Sequence, residues 1–271
     1  LEEFSGDQFL IKENDSRRLD PLRKSFEYEY GLTHFVDQFL TNKNSLSLSN
    51  RNLTQLAKEF LFEGERINNI LKKQFSNNEN ITECALAFII PKIWPEKYPI
   101  MLSASSPIRD WLTFSGVNAL SRRCFSFRGA SGIDGTLSMA LGISRILHPL
   151  LLVTGDLSFL HDINGLLIEN SEKLNLTILL IDNNGGNIFN RLYKSYLKDE
   201  EIKRLFVMPK NVDFKKLAEA NKVIFKDVTN LNELKELLEW SHLLSRIVIL
   251  RVIINHVSEI DERKNLLNKI Y

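Results

Sequence analysis

Short runs of apolar residues alternate with longer segments of helical periodicity from residue 99 onward. Several of these short runs, such as 150–154 and 176–181, lack the alternation of apolar and polar residues that a half-exposed strand shows. The pattern is typical of strands buried on both faces, and therefore of a parallel sheet covered by helices. The predicted strands are 100–104, 124–127, 150–154, 176–181, 222–225 and 247–253, and the predicted helices are 108–120, 133–147, 160–172, 214–220 and 231–244.

The order of these elements predicts the fold class. Strands that alternate with helices indicate an α/β domain, doubly wound, with a mostly parallel sheet and helices on both faces. In such a sheet, ligands bind at the carboxyl ends of the strands. The residues that directly follow each predicted strand are therefore the first candidates for a functional site.

The first 97 residues are more polar and contain no sharp motif. Apolar residues recur at helical spacing over 53–75, a turn is predicted near 77–80, and a second helix is predicted over 82–90, where Pro91 would end it. We therefore predict a helical linker or the end of a preceding domain over 1–97, followed by the α/β domain over 98–271.

The composition is that of an ordinary globular protein. Of 271 residues, 44% are hydrophobic and 25% are charged, which excludes a disordered or fibrous chain. The net charge of +1 gives no electrostatic footprint for nucleic acid or an anionic membrane. Cys84 and Cys124 cannot form a disulfide framework and lack zinc-site spacing, which favours a reducing compartment. No apolar run approaches the roughly 18 residues of a spanning helix, and no signal-peptide pattern opens the chain.

Small and polar residues follow the first two predicted strands. Ser105 or Ser106 can cap the next helix, which places Arg109 in its first turn, although a surface arginine is an equally simple interpretation. The second strand is followed by RGASGIDG at 128–135, whose glycines would let the backbone approach a phosphate closely. An ordinary tight turn is the alternative, and the G-x-G-x-x-G dinucleotide spacing is absent.

Acidic and amide side chains follow the next two strands. Asp156 comes after the third strand and Asn183 after the fourth, 27 residues later, so one helix and one strand would return both to the same sheet edge. Carboxylate and amide oxygens, with a backbone carbonyl, are typical Mg²⁺ ligands beside a phosphate. Taken singly, Asp156 can be only a helix cap and Asn-Gly only a turn. The two motifs together indicate a cation and phosphate site.

This pair of motifs resembles the pyrophosphate-binding domain of thiamine-diphosphate enzymes. The segments RGASGIDG (128–135), GDLS (155–158), DING (162–165) and NNGGNIF (183–189) resemble one family more closely, the 2-succinyl-5-enolpyruvyl-6-hydroxy-3-cyclohexene-1-carboxylate synthases of menaquinone and phylloquinone biosynthesis. The pair Ser105 and Arg109 and the segment 204–209 also fit, and 18–21 resembles a short stretch of the family's middle domain. The resemblance implies a transferase whose C-terminal half this chain represents, with 1–97 as the end of the middle domain.

The resemblance also implies the reaction and its cofactors. Family members use thiamine diphosphate and Mg²⁺, with Mn²⁺ as an alternative cation, to decarboxylate 2-oxoglutarate and add the resulting succinyl semialdehyde carbanion in 1,4 fashion to isochorismate. The cofactor carries the difficult chemistry and the protein binds and orients it. By match, the metal ligands are Asp156, Asn183 and the carbonyl of Gly185; the cofactor contacts are Ser131, Ile133, Leu157, Ser158, Ile188 and Phe189; and the substrate contacts are Ser105, Arg109 and Arg128.

Several departures from the family pattern accompany this resemblance. Family members carry an activating glutamate in an N-terminal pyrimidine-binding domain, and no such domain fits this chain, which begins at Leu1 rather than Met. We therefore expect no catalytic residue here, no complete reaction by the chain alone, and assembly as a homodimer or homotetramer with a pyrimidine domain. Ala104 stands where many relatives have Asn, and Asp182 replaces the first Asn of an Asn-Asn-Asn-Gly-Gly run, with little effect expected.

Two other functions remain open at this point. The chain could belong to another thiamine-diphosphate decarboxylase or carboligase, such as an acetolactate-synthase-like enzyme, or it could be a noncatalytic cofactor-binding remnant. The paired arginines, suited to a dianionic substrate, argue against the first alternative, and the intact motifs argue against the second. The composition, rich in Lys, Asn and Ile, leads us to expect a plastid stroma, with a bacterial cytoplasm as the alternative.

Overall fold

A computed structural model of the chain gives the architecture. It describes residues 8–13, 16–41, 55–75, 80–127, 132–168, 174–193, 198–207, 209 and 211–270. By its internal contacts the chain divides into two compact units, Leu1–Leu61 and Phe62–Tyr271. The predicted division after residue 97 concerns the domains of a larger protein, and it stays a prediction.

The first unit contains a small parallel strand pair. Strands β1 (Phe9–Ile11) and β2 (Phe26–Tyr28) pair in register, and helix α1 (Gly31–Thr41) follows them. Between the strands, Asp20 accepts backbone hydrogen bonds from three later residues, the strongest from Ser25, and these lower its pKa to about 2. Sequence analysis did not predict these strands or α1, because two three-residue strands are too short to show a period.

The second unit is built on one six-stranded sheet in the order β4-β3-β5-β6-β8-β7, and every described pairing is parallel. The strands are β3 (Ile100–Leu102), β4 (Cys124–Ser126), β5 (Leu150–Gly155), β6 (Leu176–Asp182), β7 (Ile224–Val228) and β8 (Ile247–Ile253). The helices are α2 (Gln55–Phe75, shared with the first unit), α3 (Glu83–Ile93), α4 (Ser106–Phe114), α5 (Thr136–Ser144), α6 (Asp156–His161), α7 (Ile188–Tyr193), α8 (Asp199–Ile202), α9 (Phe214–Ala220), α10 (Leu231–Ser241) and α11 (His256–Ile270).

Helices cover both faces of this sheet. One apolar core lies between the sheet and α3, α4, α10, α11 and the end of α2, and the other lies between the sheet and α5, α6 and α9. Alternate residues of the central strands enter opposite cores: Leu151 and Val153 face the first, and Leu150 and Leu152 face the second. The prediction of a doubly wound α/β fold with buried parallel strands is confirmed.

All six predicted strands are present, and five of them have shifted ends, whereas β8 has the predicted ends. The largest shift is at 222–225, where β7 instead spans Ile224–Val228. Lys222 has a φ of +55° and belongs to the turn after α9, in which the Val223 N–H donates to the Ala218 carbonyl at 2.9 Å. A residue with left-handed backbone geometry cannot continue a strand, so the strand begins later.

Most of the predicted helices are present, but several are shorter and one is wrong. The helix predicted over 108–120 is α4, Ser106–Phe114, because Gly116 turns the backbone with a φ of +67°. The helix predicted over 133–147 begins only after Gly135, whose φ is +68°. The helix predicted over 160–172 is wrong: the chain forms the short α6 and then a 3₁₀ helix at Ile163–Leu167. Residues 169–173 lie outside the described residues.

Pro91 does not end the helix that precedes the sheet. Helix α3 runs from Glu83 to Ile93 with Pro91 inside its last turn. The Trp94 N–H donates to the Ile90 carbonyl at 3.0 Å, and the buried Trp94 ring donates from Nε1 to the Pro99 carbonyl at 3.2 Å. These bonds hold the final turn although proline removes one backbone donor.

Candidate functional site

A cavity of about 180 Å³ opens at the carboxyl ends of β3, β5 and β6. From β3 the chain crosses to β4 on one side and then to β5 on the other, so the cavity lies where the strand order reverses. This is the position at which doubly wound sheets bind ligands. Its lining includes nine of the predicted site residues: Ser105, Ile133, Asp156, Leu157, Ser158, Asn183, Gly185, Ile188 and Phe189.

Asp156 is buried at the start of α6, directly after β5. Its Oδ1 accepts a hydrogen bond from its neighbour's N–H, that of Leu157, at 2.7 Å, and its Oδ2 accepts one from the Gly185 N–H at 2.7 Å. Burial raises the pKa of the carboxyl to about 6, against the lowering effect of these two bonds. Since a carboxylate in this position is costly without a counter-charge, the site favours a bound cation.

Asn183 presents an unsatisfied oxygen in the same cavity. Its Nδ2 donates to Glu83 Oε1 at 2.7 Å, whereas its Oδ1 is buried and has no hydrogen-bond partner among the described residues. A buried amide oxygen without a donor costs about 1–3 kcal/mol unless a ligand satisfies it. A hard cation such as Mg²⁺ prefers this kind of oxygen ligand, so Asn183 and Asp156 fit a divalent cation.

The loop after β6 needs its two glycines. Gly185 has a φ of +121°, and a Cβ there would lie 2.3 Å from the Val207 carbonyl oxygen. A Cβ at Gly186 would lie 2.6 Å from the Phe206 carbonyl oxygen. A hydrogen bond from the Gly186 N–H to the Val207 carbonyl, at 2.8 Å, holds the loop close to this backbone segment.

The carbonyl of Gly185 faces one donor among the residues that the structure describes. It accepts from the Asn187 N–H at 2.8 Å, and a carbonyl oxygen can accept two hydrogen bonds. Asn187 also uses its side-chain amide to donate to the Asn183 carbonyl. The predicted carbonyl ligand is therefore compatible with the loop.

Two hydroxyl groups lie near Ile133, which lines the cavity. Ser158 Oγ lies 3.1 Å from the Ile133 carbonyl and 3.2 Å from Thr136 Oγ1. Thr136 also donates to the Ile133 carbonyl at 3.2 Å, so α5 and α6 are joined beneath this residue. Ile133 itself lines the cavity as a partly exposed apolar side chain.

The residues after β3 divide between the cavity and the surface. Ser105, one of the two predicted capping residues, lines the cavity and occupies the N-cap position of α4 with a φ of +75°, but its side chain makes no capping hydrogen bond there. Arg109 is exposed and outside the cavity lining, and its Nη1 donates to the Ser105 carbonyl at 2.9 Å. Arg128 and Ser131, the other two predicted contacts, lie outside the described residues.

The start of α7 contributes apolar side chains to the cavity lining. Ile188 and Phe189 begin α7 and both line the cavity. The Phe189 ring lies 5.4 Å from the Phe206 ring, within the π-helical turn Lys203–Val207 that forms part of the predicted segment 204–209. Packing against Phe206 thus supports the Phe189 side chain that lines the cavity.

A buried ionic cluster beside the cavity was not predicted. It consists of Glu83, Asp110, Arg191, Glu259 and Arg263, which come from α3, α4, α7 and α11. Glu83 itself lines the cavity. Burial acts to raise its pKa, but the charge of Arg191, the Asn183 hydrogen bond and Arg263 together hold that pKa below its usual value. Since Glu83 and Glu259 are 176 positions apart, no local motif could reveal the cluster.

The aspartate at position 182 has a partner on the neighbouring strand. Asp182 Oδ2 lies 3.5 Å from Arg251 Nη1, and Arg251 Nε lies 2.6 Å from Asp227 Oδ1. Asp182 is outside the cavity lining, and the small effect expected of this departure from the family pattern stays a prediction.

Known proteins resemble the chain in both sequence and fold. The family model described as the thiamine pyrophosphate enzyme C-terminal TPP binding domain matches residues 112–251. A 2-succinyl-5-enolpyruvyl-6-hydroxy-3-cyclohexene-1-carboxylate synthase of Prochlorococcus marinus (strain MIT 9312) is 58% identical over 270 residues, which are 100% of this chain and 46% of the relative. The synthase of strain NATL1A is 42% identical over 96% of this chain and 44% of its own length. The chain thus spans about half the length of the curated relatives it matches.

Two solved structures share the fold. An enzyme from Mycobacterium smegmatis described as thiamin diphosphate-dependent matches with a TM-score of 0.60 at 15% identity, over 91% of this chain and 43% of that one. Benzoylformate decarboxylase from Polynucleobacter necessarius matches with a TM-score of 0.53 at 16% identity, over 64% and 33%. At these identities the likeness supports the fold alone.

Proposed function

Because the chain belongs to the thiamine pyrophosphate enzyme family, we propose that its cavity binds the diphosphate end of thiamine diphosphate through a divalent cation. The observation that carries this proposal is the buried Oδ1 of Asn183, which has no partner among the described residues, in the same cavity as the buried carboxylate of Asp156. Asp156, Asn183 and the carbonyl of Gly185 would hold Mg²⁺. Ser158 and Leu157 line the cavity where the phosphates would sit. Ser131, which is outside the described residues, stays a proposed phosphate contact from the sequence match.

The remaining lining residues suit the organic part of the cofactor. Ile133 would support the bent cofactor from one side, while Ile188 and Phe189 would line the thiazolium pocket and exclude water from it. When bound, thiamine diphosphate supplies the centre that stabilises a carbanion. The protein residues named here would bind and orient it.

We further propose the reaction of the synthases that this chain resembles. These relatives are named for a product of the menaquinone pathway, and the chain is similar to them over its whole length. The proposed reaction is decarboxylation of 2-oxoglutarate and 1,4-addition of the resulting four-carbon unit to isochorismate. Both substrates carry carboxylates, which guanidinium groups bind well, so Arg109 and Arg128 with Ser105 are the proposed substrate contacts.

Assembly and location follow the same comparison. A pyrimidine-binding domain would complete the binding site for thiamine diphosphate. We therefore propose a homodimer or homotetramer of a longer protein. The named relatives come from Prochlorococcus marinus, a cyanobacterium, which favours the bacterial cytoplasm over the plastid stroma that the composition led us to expect. Within the described residues, no helix has the length and apolar character needed to cross a membrane.

Calorimetric titration of the chain with thiamine diphosphate tests the cofactor proposal. We expect binding with Mg²⁺ present, little binding with the cation chelated, and a loss of at least about tenfold in affinity for Asp156→Ala, because the variant removes a charged ligand. The control is Asp261→Ala, at an exposed aspartate of α11, which should bind like the unchanged chain. Binding that ignores both the cation and Asp156→Ala would contradict the proposal.

The choice between this reaction and that of another carboligase needs a different assay. A longer protein that contains this chain would be supplied with 2-oxoglutarate or pyruvate, each with and without isochorismate. We expect turnover that requires 2-oxoglutarate and isochorismate together. Turnover of pyruvate that is indifferent to isochorismate would favour an acetolactate-synthase-like enzyme instead.

A further inference from the structure

Glu83 is the one carboxylate of the cavity lining, besides Asp156, among the described residues, and the cation site proposed above does not use it as a ligand. It lies in the first turn of α3, 100 residues before the Asn183 amide that it contacts. Thr82 caps this turn, because its Oγ1 accepts from the Ala85 N–H at 3.1 Å. The Glu83 N–H donates to Glu259 Oε2 at 2.7 Å, so both ends of the residue are fixed.

The contact between Glu83 and Asn183 decides which way the amide points. The side-chain amide of asparagine has a donor end and an acceptor end of nearly equal size. An ionised carboxylate can only accept hydrogen bonds, so Glu83 Oε1 selects the Nδ2 end of Asn183, at 2.7 Å. Within the described part of the chain, the Oδ1 end is therefore left without a hydrogen-bond partner, and it is available to a cation.

The second oxygen of Glu83 is held by arginines. Glu83 Oε2 pairs with Arg191 Nη2, and Arg263 Nη2 lies 3.9 Å away. Arg191 follows the lining residues of α7 by two positions, whereas Arg263 lies on α11 and binds Glu259 at 2.8 Å. Each carboxylate oxygen of Glu83 thus has a separate donor, one from the site and one from the ionic cluster.

We propose that Glu83 is a positioning residue for the cation site: it accepts the Asn183 Nδ2 hydrogen bond and thereby presents Asn183 Oδ1 to the divalent cation, while Arg191 holds the other Glu83 oxygen. This inference rests on the proposed function, because it concerns the same cation. Residues that orient a metal ligand in this way typically change metal affinity by roughly 10- to 100-fold when replaced.

The substitution Glu83→Gln separates positioning from simple packing. A glutamine has the same shape but only one acceptor oxygen, and both the arginine and the asparagine amide require an acceptor from position 83. The charged guanidinium is the stronger donor, so the new NH₂ group should face position 183. The Asn183 amide would then turn its oxygen toward that NH₂ group and away from the cation.

The test measures Mn²⁺ binding to the full chain, with saturating thiamine diphosphate, from the loss of the free-ion signal in electron paramagnetic resonance. We expect Glu83→Gln to bind Mn²⁺ roughly 10- to 100-fold more weakly than the unchanged chain. The control Glu233→Gln makes the same change at a glutamate that contacts Thr229 at the start of α10, and it should leave the affinity unchanged.

A double variant provides the stricter test. Asn183→Asp alone places a second carboxylate against Glu83, so it should also weaken Mn²⁺ binding, although added negative charge by itself would strengthen it. Combined with Glu83→Gln, the new carboxylate can accept from the new amide and still offer an oxygen to the cation. We therefore expect the double variant to recover most of the lost affinity, as a coupled pair does.

The outcomes separate this inference from the proposed function. Circular dichroism and thermal melting establish that each variant is folded. Unchanged Mn²⁺ affinity in Glu83→Gln, or no recovery of affinity in a folded double variant, would overturn the positioning role. The variant Asn183→Ala should abolish binding in either case, because it removes the proposed ligand itself. If Glu83→Gln does not fold, tighter Mn²⁺ binding by Asn183→Asp alone would overturn it. An unchanged chain that binds no Mn²⁺ would refute the proposed function itself, and this inference with it.

Discussion

Gly185→Ala should destabilise the protein and disrupt the cation site at once. Gly185 has a φ of +121°, which L side chains rarely adopt, and the new Cβ would lie 2.3 Å from the Val207 carbonyl oxygen. Backbone strain of this kind costs about 1–3 kcal/mol, and the obstacle is a backbone atom that cannot rotate away. We therefore expect a loss of about 2–3 kcal/mol in the free energy of unfolding, or a fall of about 4–12 °C in the melting temperature.

The matched control is another glycine of the same unit. Gly142 lies in α5, and nothing lies within 4 Å of the Cβ that an alanine would add there. Because glycine is unfavourable inside a helix, Gly142→Ala should raise the free energy of unfolding by about 0.5–1 kcal/mol. Urea denaturation followed by circular dichroism measures both variants.

Cofactor binding gives the second readout for this pair. Gly185→Ala should move the loop that carries the proposed carbonyl ligand, so Mg²⁺-dependent binding of thiamine diphosphate should fall at least about tenfold. Gly142→Ala should bind normally. Equal stability of the two variants would refute the steric argument, and normal cofactor binding by Gly185→Ala would refute the assigned place of the loop in the site.

Three further predictions concern charged groups of the second unit. Arg263→Met leaves two buried carboxylates without their closest cation and should cost about 3–5 kcal/mol in urea denaturation, whereas Lys264→Met on the exposed side of α11 should change little. Asp156→Asn should stabilise the cation-free chain at pH 7 by up to about 3 kcal/mol, because burial raises the pKa of Asp156 to about 6. This gain should vanish below about pH 4, where the carboxyl is protonated in both the folded and the unfolded chain. A gain that does not depend on pH would contradict the prediction. Asp182→Asn should cost less than about 1 kcal/mol, because Arg251 keeps its closer partner at 2.6 Å.

The sheet could be predicted well from the sequence, because each strand that is buried on both faces forms a short continuous run of apolar residues. Strand β8 was predicted with its observed ends, Ile247–Ile253, since apolar residues occupy both of its faces. The helix ends were predicted poorly where single residues with positive φ interrupt an apolar pattern, as at Gly116 and Gly135. Such residues show their conformation only once the chain around them has packed.

The cavity lining was predictable for a related reason. In a parallel sheet the residues after neighbouring strands meet at one edge, so Asp156 and Asn183 could be placed together from their spacing alone. Arg109 shows where this reasoning ends. Its position in the first turn of α4 was predicted correctly, yet its side chain is exposed and outside the cavity lining, because a strand end fixes the backbone and not the direction of a long side chain.

The least predictable part of the site is the part that orients it. The strands bring Asn183 to the cavity, but the orientation of its amide depends on Glu83, a residue of the helix that precedes the whole sheet. That residue depends in turn on Arg191 of the ionic cluster and on Glu259 from the last helix. The buried carboxylate of Glu83 keeps its charge only when α3 and α11 are both in place, since the cost of an unpaired buried charge is several kcal/mol. The cation site should therefore form only with the complete second unit, and a strand-end motif by itself should not bind the cation.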